Sequence, residues 1–277
     1  MQLAFGNPTS VAPQGITVEL ITRRTKQFEA DHTTLFKRMD ADQDLYELKA
    51  YNANEDGTQT FPSYTSNAPR TYAKKIVSLL ASGDVFVKVP YGMAQEAERR
   101  AYDAKERFCY GLLHAADERL GKRVQIRVKH QVAWYAAIRG YICLRRVLLK
   151  DEFGKTYVDI LPLDPRNVSW GIGYDGLAWA AYTTKRRGSE VVAQYNVNLG
   201  GDENKQYDVI DYWDTEFNAV VVPGYGFIKQ PMRHGAVGVP IDIVPVGNGP
   251  EIRQPAKDIN ASSSGYGESI YAEDRAV

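Results

Sequence analysis

Cysteine is scarce. The 277 residues include two, Cys109 and Cys143. That number excludes the disulfide framework of a small secreted scaffold. Both lie in apolar company, which reads as buried, reduced thiols. Histidine is also sparse: His32, His114, His130 and His234 are scattered, and none pairs with a carboxylate, a Cys or a second His at a metal-ligand spacing. No metal and no cofactor is expected. Net charge is absent, with 34 Lys plus Arg against 34 Asp plus Glu. This excludes a uniformly basic, phosphate-coating surface, though not a local patch. No run approaches the roughly 18 apolar residues of a membrane span. Met1 to Ala12 lacks both a charged start and a sustained apolar stretch, so no signal peptide is expected. The expectation is a soluble chain in a reducing compartment.

What is present divides by texture. Residues up to about Ala136 read as helical, and Tyr141 to Val246 read mainly as strands. That order predicts an α+β fold with an antiparallel β region, not the βαβ alternation of a parallel sheet. Four segments follow: a flexible arm over 1–16, a helical part over 17–140, a β-rich part over 141–260, and a glycine hinge leading into a helix over 261–277.

In the helical part, Val18, Ile21, Thr25, Phe28, His32, Leu35 and Met39 recur every three or four residues, the stripe of one amphipathic helix. Asn67-Ala-Pro69-Arg70 reads as a helix start, with Asn67 as cap and Pro in the first turn. Tyr72, Ile76, Leu79 and Leu80 follow at helical spacing to a stop at Gly83. Val85 to Val89 reads as a short strand. The longest helix is expected over Ala94 to Leu120, with Ala97, Ala101, Ala104, Phe108, Leu112 and Ala115 on its buried side and Gly121 as its stop. Another helix spans Val128 to Ile138.

In the β-rich part, Tyr141 to Leu149 and Thr156 to Leu161 form a hairpin. Arg145 and Arg146 are adjacent on a strand and point to opposite faces, so one is expected to be partly buried in an ion pair. Leu177 to Thr183, Val191 to Val197, Val209 to Trp213 and Ala219 to Val222 are further strands. Val239 to Val246 holds two prolines and suits only an edge.

Few residues suggest chemistry. Gly171-Ile-Gly-Tyr-Asp-Gly176 has the spacing of a dinucleotide-binding loop, which requires a helix after it. The residues that follow look like a strand, so a hairpin turn accounts for the same glycines. Gly265-Tyr-Gly267-Glu-Ser269-Ile invites a nucleophile reading of Ser269, but the Gly-x-Ser-x-Gly elbow is missing. A hinge formed by Gly265, Gly267 and Ser269, with Ser269 or Glu268 capping the next helix, is the simpler reading. Lys185-Arg186-Arg187-Gly188 between two strands reads as a turn able to meet phosphate or an acidic partner. No catalytic set stands out, and an enzyme is not expected. The alternatives are an enzyme with a pocket near Ser269 or Gly171 to Gly176, and a nucleic-acid-binding module using Lys185, Arg186 and Arg187. Tyrosine numbers 18, a residue suited to large protein contacts.

The order of these pieces resembles the N-terminal part of tailed-phage portal proteins, the head-to-tail connectors. The resemblance runs from about Thr17 to Val277. It is carried by the opening helix with Arg23 and Arg24, the Asn67-x-Pro69-Arg70 start leading to Val85-Phe-Val-Lys-Val-Pro90, and the long helix ending Ala116-Asp-Glu-Arg-Leu120. Arg139-Gly140 before the first long strand continues it. So do Leu161-Pro-Leu-Asp-Pro-Arg-Asn-Val-Ser-Trp170 and the closing Gly265 to Ile270. The resemblance implies a portal wing and a ring, usually of twelve copies, at a capsid vertex. It implies terminase, the major capsid protein and a head-tail adaptor as partners, and double-stranded DNA passing through. Its place would be the virion, after assembly in the host cytoplasm. Portals continue from the Gly-x-Ser stretch into stem helices, a clip and a second wing segment. The chain is then a wing fragment or a shorter protein sharing the wing, and no DNA-contacting residue is carried over. As a hinge, residues Ala261 to Val277 are expected to be removable without loss of the wing fold.

Overall fold

Apart from a two-residue strand at the start, five helices precede two antiparallel sheets among the described residues of the computed structural model, which are 2–3, 15–49, 66–89, 96–151, 153–200, 204–247 and 267–272. The fold is α+β, with the change from helix to strand at Gly140. The helices are α1 (Val18–Asp31), α2 (Thr33–Glu47), α3 (Ala68–Ser82), α4 (Glu96–Val124) and α5 (Val128–Arg139). In the first sheet, β2 (Tyr141–Lys150) pairs along one side with β3 (Thr156–Leu163). Its other side takes β9 (Ile241–Pro245) at one end and β1 (Gln2–Leu3) at the other. The second sheet is a meander of β4 (Val168–Gly173), β5 (Gly176–Arg187), β6 (Gln206–Asp214), β7 (Phe217–Val222) and β8 (Gly226–Arg233). A short helix, α6 (Gly188–Tyr195), interrupts it.

The opening stripe is buried, with Ile21, Thr25, Phe28, Leu35 and Met39 all inside. It belongs to two helices, because the chain breaks at His32 (φ −112°, ψ 24°). Just beyond the break, the Thr33 hydroxyl donates back to the carbonyls of Glu29 and Ala30. The elbow allows α1 and α2 to press different residues into one core. Phe28, Leu35, Phe36 and Met39 meet Tyr141, Val168, Trp170, Trp213 and Ile243 from both sheets. Trp170 stands at the centre, its ring 4.4 Å from Phe28 and 6.0 Å from Tyr141. Arg24 is not a free surface residue. Its guanidinium donates to the Tyr212 hydroxyl and lies 5.6 Å from the Trp179 ring, which fastens α1 to the second sheet.

The two arginines of β2 divide as their alternation requires. Arg146 is exposed and pairs with Asp242 of β9. Arg145 is largely buried and bridges the sheets, 3.2 Å from Asp159 on β3 and 3.4 Å from Asp211 on β6. Asn218 extends this network by donating to Asp211 at 2.7 Å and accepting from Lys229. A buried charge set of this kind stabilises only when its members are mutually satisfied.

Several local expectations are corrected. Val85 to Val89 form no strand, and Val85 and Phe86 lie open on the surface with no pairing partner. Val191 to Tyr195 are helical: these two residues, four apart, pack on the core of β6 and β7, and this spacing overrides the β-preference of the valines. Gly121 does not stop α4, which runs on to Val124 and ends at Gln125 (φ 62°). The amide of Ala68 donates to the Ser66 hydroxyl, while Asn67 makes no side-chain cap. The arm is not free throughout, since Gln2 and Leu3 pair with β2.

His32 gives the elbow a pH dependence. Its ring stacks on Phe28 at 3.9 Å, and burial pushes its pKa below the usual 6.5. Between the folded value and 6.5 the unfolded chain binds more protons, so stability is lost as pH falls through that window. The melting temperature should drop between pH 7 and pH 5, and His32→Phe should flatten part of that slope. An unchanged slope in the variant would remove His32 from the account.

Candidate functional site

The glycine stretch at the C-terminal side is built in, not free. Gly265 lies outside the described residues, as does Tyr266. Gly267 and Ser269 are buried. The amide of Glu268 donates to Val246 O at 2.8 Å, and that of Ile270 to Ala137 O at 2.9 Å. Gly267 lies so close to the turn between α5 and β2 that a Cβ there would stand 1.8 Å from the Gly140 carbonyl oxygen. Gly140 is equally constrained, because it has φ +69° and its own Cβ would meet Glu268 at 2.7 Å. Glycine is therefore required at 140 and 267 by the backbone crossing, and the amides of Glu268 and Ile270 tie this stretch to the rest of the fold. Tyr271 completes the clasp. It is 1% exposed, packs with Ala73, Val77, Ala133, Ala137 and Ile138, and its hydroxyl donates to Pro69 O at 2.8 Å. The Ser269 hydroxyl accepts from the Tyr271 amide at 3.1 Å, but residues 270–272 form a turn and no helix, so the expected helix cap is not seen among the described residues.

The basic triplet does not converge. Lys185, Arg186 and Arg187 are the end of β5, paired with Asp208, Tyr207 and Gln206 of β6, and not a turn. Alternation sends Lys185 and Arg187 to one face and Arg186 to the other. There Arg186 donates to Thr184 at 3.1 Å and to Gln194 of α6. Gly171 to Gly176 form the β4–β5 hairpin, with a strand where a phosphate-binding helix would begin. Gly171 is needed for packing, since a Cβ there would meet the Trp179 indole nitrogen at 2.1 Å.

Cys143 is fully buried, and burial drives its thiol pKa up; Cys109 is half-buried and also unpaired. His234 bridges Asp214 O and the Ala236 amide. His114 lies 3.9 Å from Glu118, one turn on, a carboxylate contact the sequence reading did not anticipate. Among the described residues no group of three or more His, Cys, Asp or Glu could hold a metal, and no helix is long and apolar enough to cross a membrane.

The largest departure lies on α3 and α4. The side of α4 expected to be buried is mostly open, with Leu112 half-buried, and of the apolar residues spaced along α3 only Ile76 is partly covered. On α3, Tyr72, Leu79 and Leu80 are exposed, Leu79 at 68%, while Ala73 and Val77 are the buried residues. On α4, Ala101, Ala104, Phe108 and Ala115 are exposed, Phe108 at 68%, and burial falls on Ala116 and Leu120. The segment between the helices adds Val85 and Phe86, the latter 79% exposed. It is held to α4 by Glu106, which accepts from the Val89 amide at 2.8 Å and pairs with Lys88 at 3.5 Å. Isolated exposed apolar residues are ordinary; here several of them, Tyr72, Leu79, Leu80, Val85, Phe86 and Phe108, fall on two helices and the segment that follows the first.

The chain matches no protein-family model, and no curated protein is significantly similar to it. The surface is therefore read on its own geometry.

Removing the clasp should unfold the helical half, not leave it intact. Tyr271→Ala should cost about 3–5 kcal/mol, as for other buried aromatics. Tyr271→Phe should cost about 1 kcal/mol for the lost hydrogen bond. Denaturant unfolding measures both. A truncation at 261 with an unchanged midpoint would restore the free-hinge reading.

Proposed function

We propose that the chain is a structural subunit that assembles with copies of itself, and that it is a portal protein of a tailed phage or the wing part of one. One observation carries the assembly: Tyr72, Leu79 and Leu80 of α3 and Phe108 of α4 are solvent-exposed in the single chain. A stripe of this kind is satisfied when a partner covers it. The portal class is supported by the order of elements, helices and then antiparallel strands, and by the sequence resemblance. On this reading identical wedges close head-to-tail into a ring. Terminase, the major capsid protein and a head-tail adaptor meet that ring, and double-stranded DNA passes through it. The chain's work is positional, and no catalytic residue is assigned.

Light scattering with negative-stain imaging of the same sample should find closed rings. The double variant Leu79→Ser, Phe108→Ser should shift the mass toward monomer without lowering the melting temperature, because neither residue is in the core. Each buried Leu or Phe lost from a contact should weaken it by roughly 1.5–3 kcal/mol. A wild-type monomer at all concentrations would contradict the proposal.

A further inference from the structure

A cleft of about 470 Å³ opens where α2, α4 and α5 meet, lined by Tyr46, Leu120, Val124, Ile126, His130 and Trp134 among others. Its walls are mostly apolar. Val124 and Ile126 at its mouth are 44% and 46% exposed. The α4–α5 turn beside it is rich in cations: residues 119 to 130 include Arg119, Lys122, Arg123, Arg127 and Lys129, and Asp117 accepts the Lys129 amide at 3.3 Å. Arg119 is committed to Val158 O and the Tyr157 ring, and Arg127 lies 3.9 Å from Asp117. Lys122 and Arg123 are exposed and form no ion pair with another described residue.

The aromatic walls are turned edge to face, Tyr46 on Trp134 at 85° and Trp134 on Tyr135 at 79°, with the Arg139 guanidinium 5.8 Å from the Trp134 ring. Such rings do not offer the open faces on which nucleic-acid bases stack. They form a socket for an apolar side chain. The same chain carries a fitting plug. Phe86 is 79% exposed beside Val85, and the exposed Asp84 precedes them. One aromatic ring and a neighbouring valine suit a cleft of this size, and Asp84 complements Lys122 and Arg123 beside it.

The plug cannot fill its own socket. Glu106 of α4 holds Lys88 and Val89, while the socket takes Leu120 of the same helix. Fourteen residues of helix separate these points, about 20 Å at 1.5 Å per residue. We infer that Phe86 of one copy enters the cleft between α2, α4 and α5 of the next, with its Asp84 against Lys122 and Arg123. A contact between two different patches of identical chains is heterologous, the kind that closes rings or extends filaments. This inference rests on the self-assembly reading and assigns it a specific joint.

The test is a pairwise cross-link in a Cys109→Ser background. Asp84→Cys protein, which keeps Phe86, is mixed with Lys122→Cys protein under mild oxidation, since a disulfide forms only between Cα atoms about 4.4–6.8 Å apart. The mixture should give a covalent dimer, the double variant a ladder, and each single variant only a trace. The control pair Asp84→Cys with Val237→Cys should stay at the trace level. Asp84→Lys should weaken the association at least tenfold, and Lys122→Glu with Arg123→Glu should restore it. Assembled particles without the cross-link would overturn this joint and leave self-assembly standing. A monomer without the cross-link would overturn both. Salt-sensitive binding of single-stranded DNA by the cleft, lost in Trp134→Ala, together with no cross-link, would replace the plug with a nucleic acid.

Discussion

The junction at Arg139 and Gly140 is the constraint on which the rest depends. Arg139 is 8% exposed and spends its charge on two elements, donating to Met39 O of α2 and to Asp164 beside β4, both at 2.9 Å. Gly140 then turns the chain from helix to strand in the left-handed region, and its carbonyl accepts the Val246 amide at 2.8 Å. The clasp crosses at the same point. A buried arginine without both acceptors would carry a heavy desolvation penalty, so the geometry of α2, α5 and the sheets is set together.

From this junction the mechanics run outward. Tyr271 links the C-terminal stretch to α3 through Pro69 O, and α3 bears one of the two open apolar stripes. The stripe is therefore held by a helix whose other side is locked into the core by Ala73 and Val77. A rigid, apolar, outward-facing surface is what a contact between subunits requires, because little ordering entropy remains to be lost on binding.

Much of the fold is legible in the sequence because burial on an element leaves a period behind. Ile21 to Met39, the β2–β3 hairpin and the split of Arg145 from Arg146 all follow from spacing alone. The elbow at His32 does not, since a period continues across a one-residue break. Gly267 reads as a hinge because its contact, Gly140, lies far away in the chain, and close backbone crossings carry no local pattern. Val191 to Tyr195 mislead by composition. The stripes of α3 and α4 are the most instructive case. Their period is read correctly, and the burial expected of α4 is not found, because a period places apolar residues on one face and leaves open what covers that face.

Hydrogen–deuterium exchange at two protein concentrations tests most directly whether a second copy covers α3 and α4. The account predicts that amides of α3, of residues 84–89 and of the first half of α4 slow markedly as concentration rises, while those of β5 to β8 do not change. Exchange in α3 and α4 that is fast and independent of concentration would mean that no second copy covers them, and the central claim would fail.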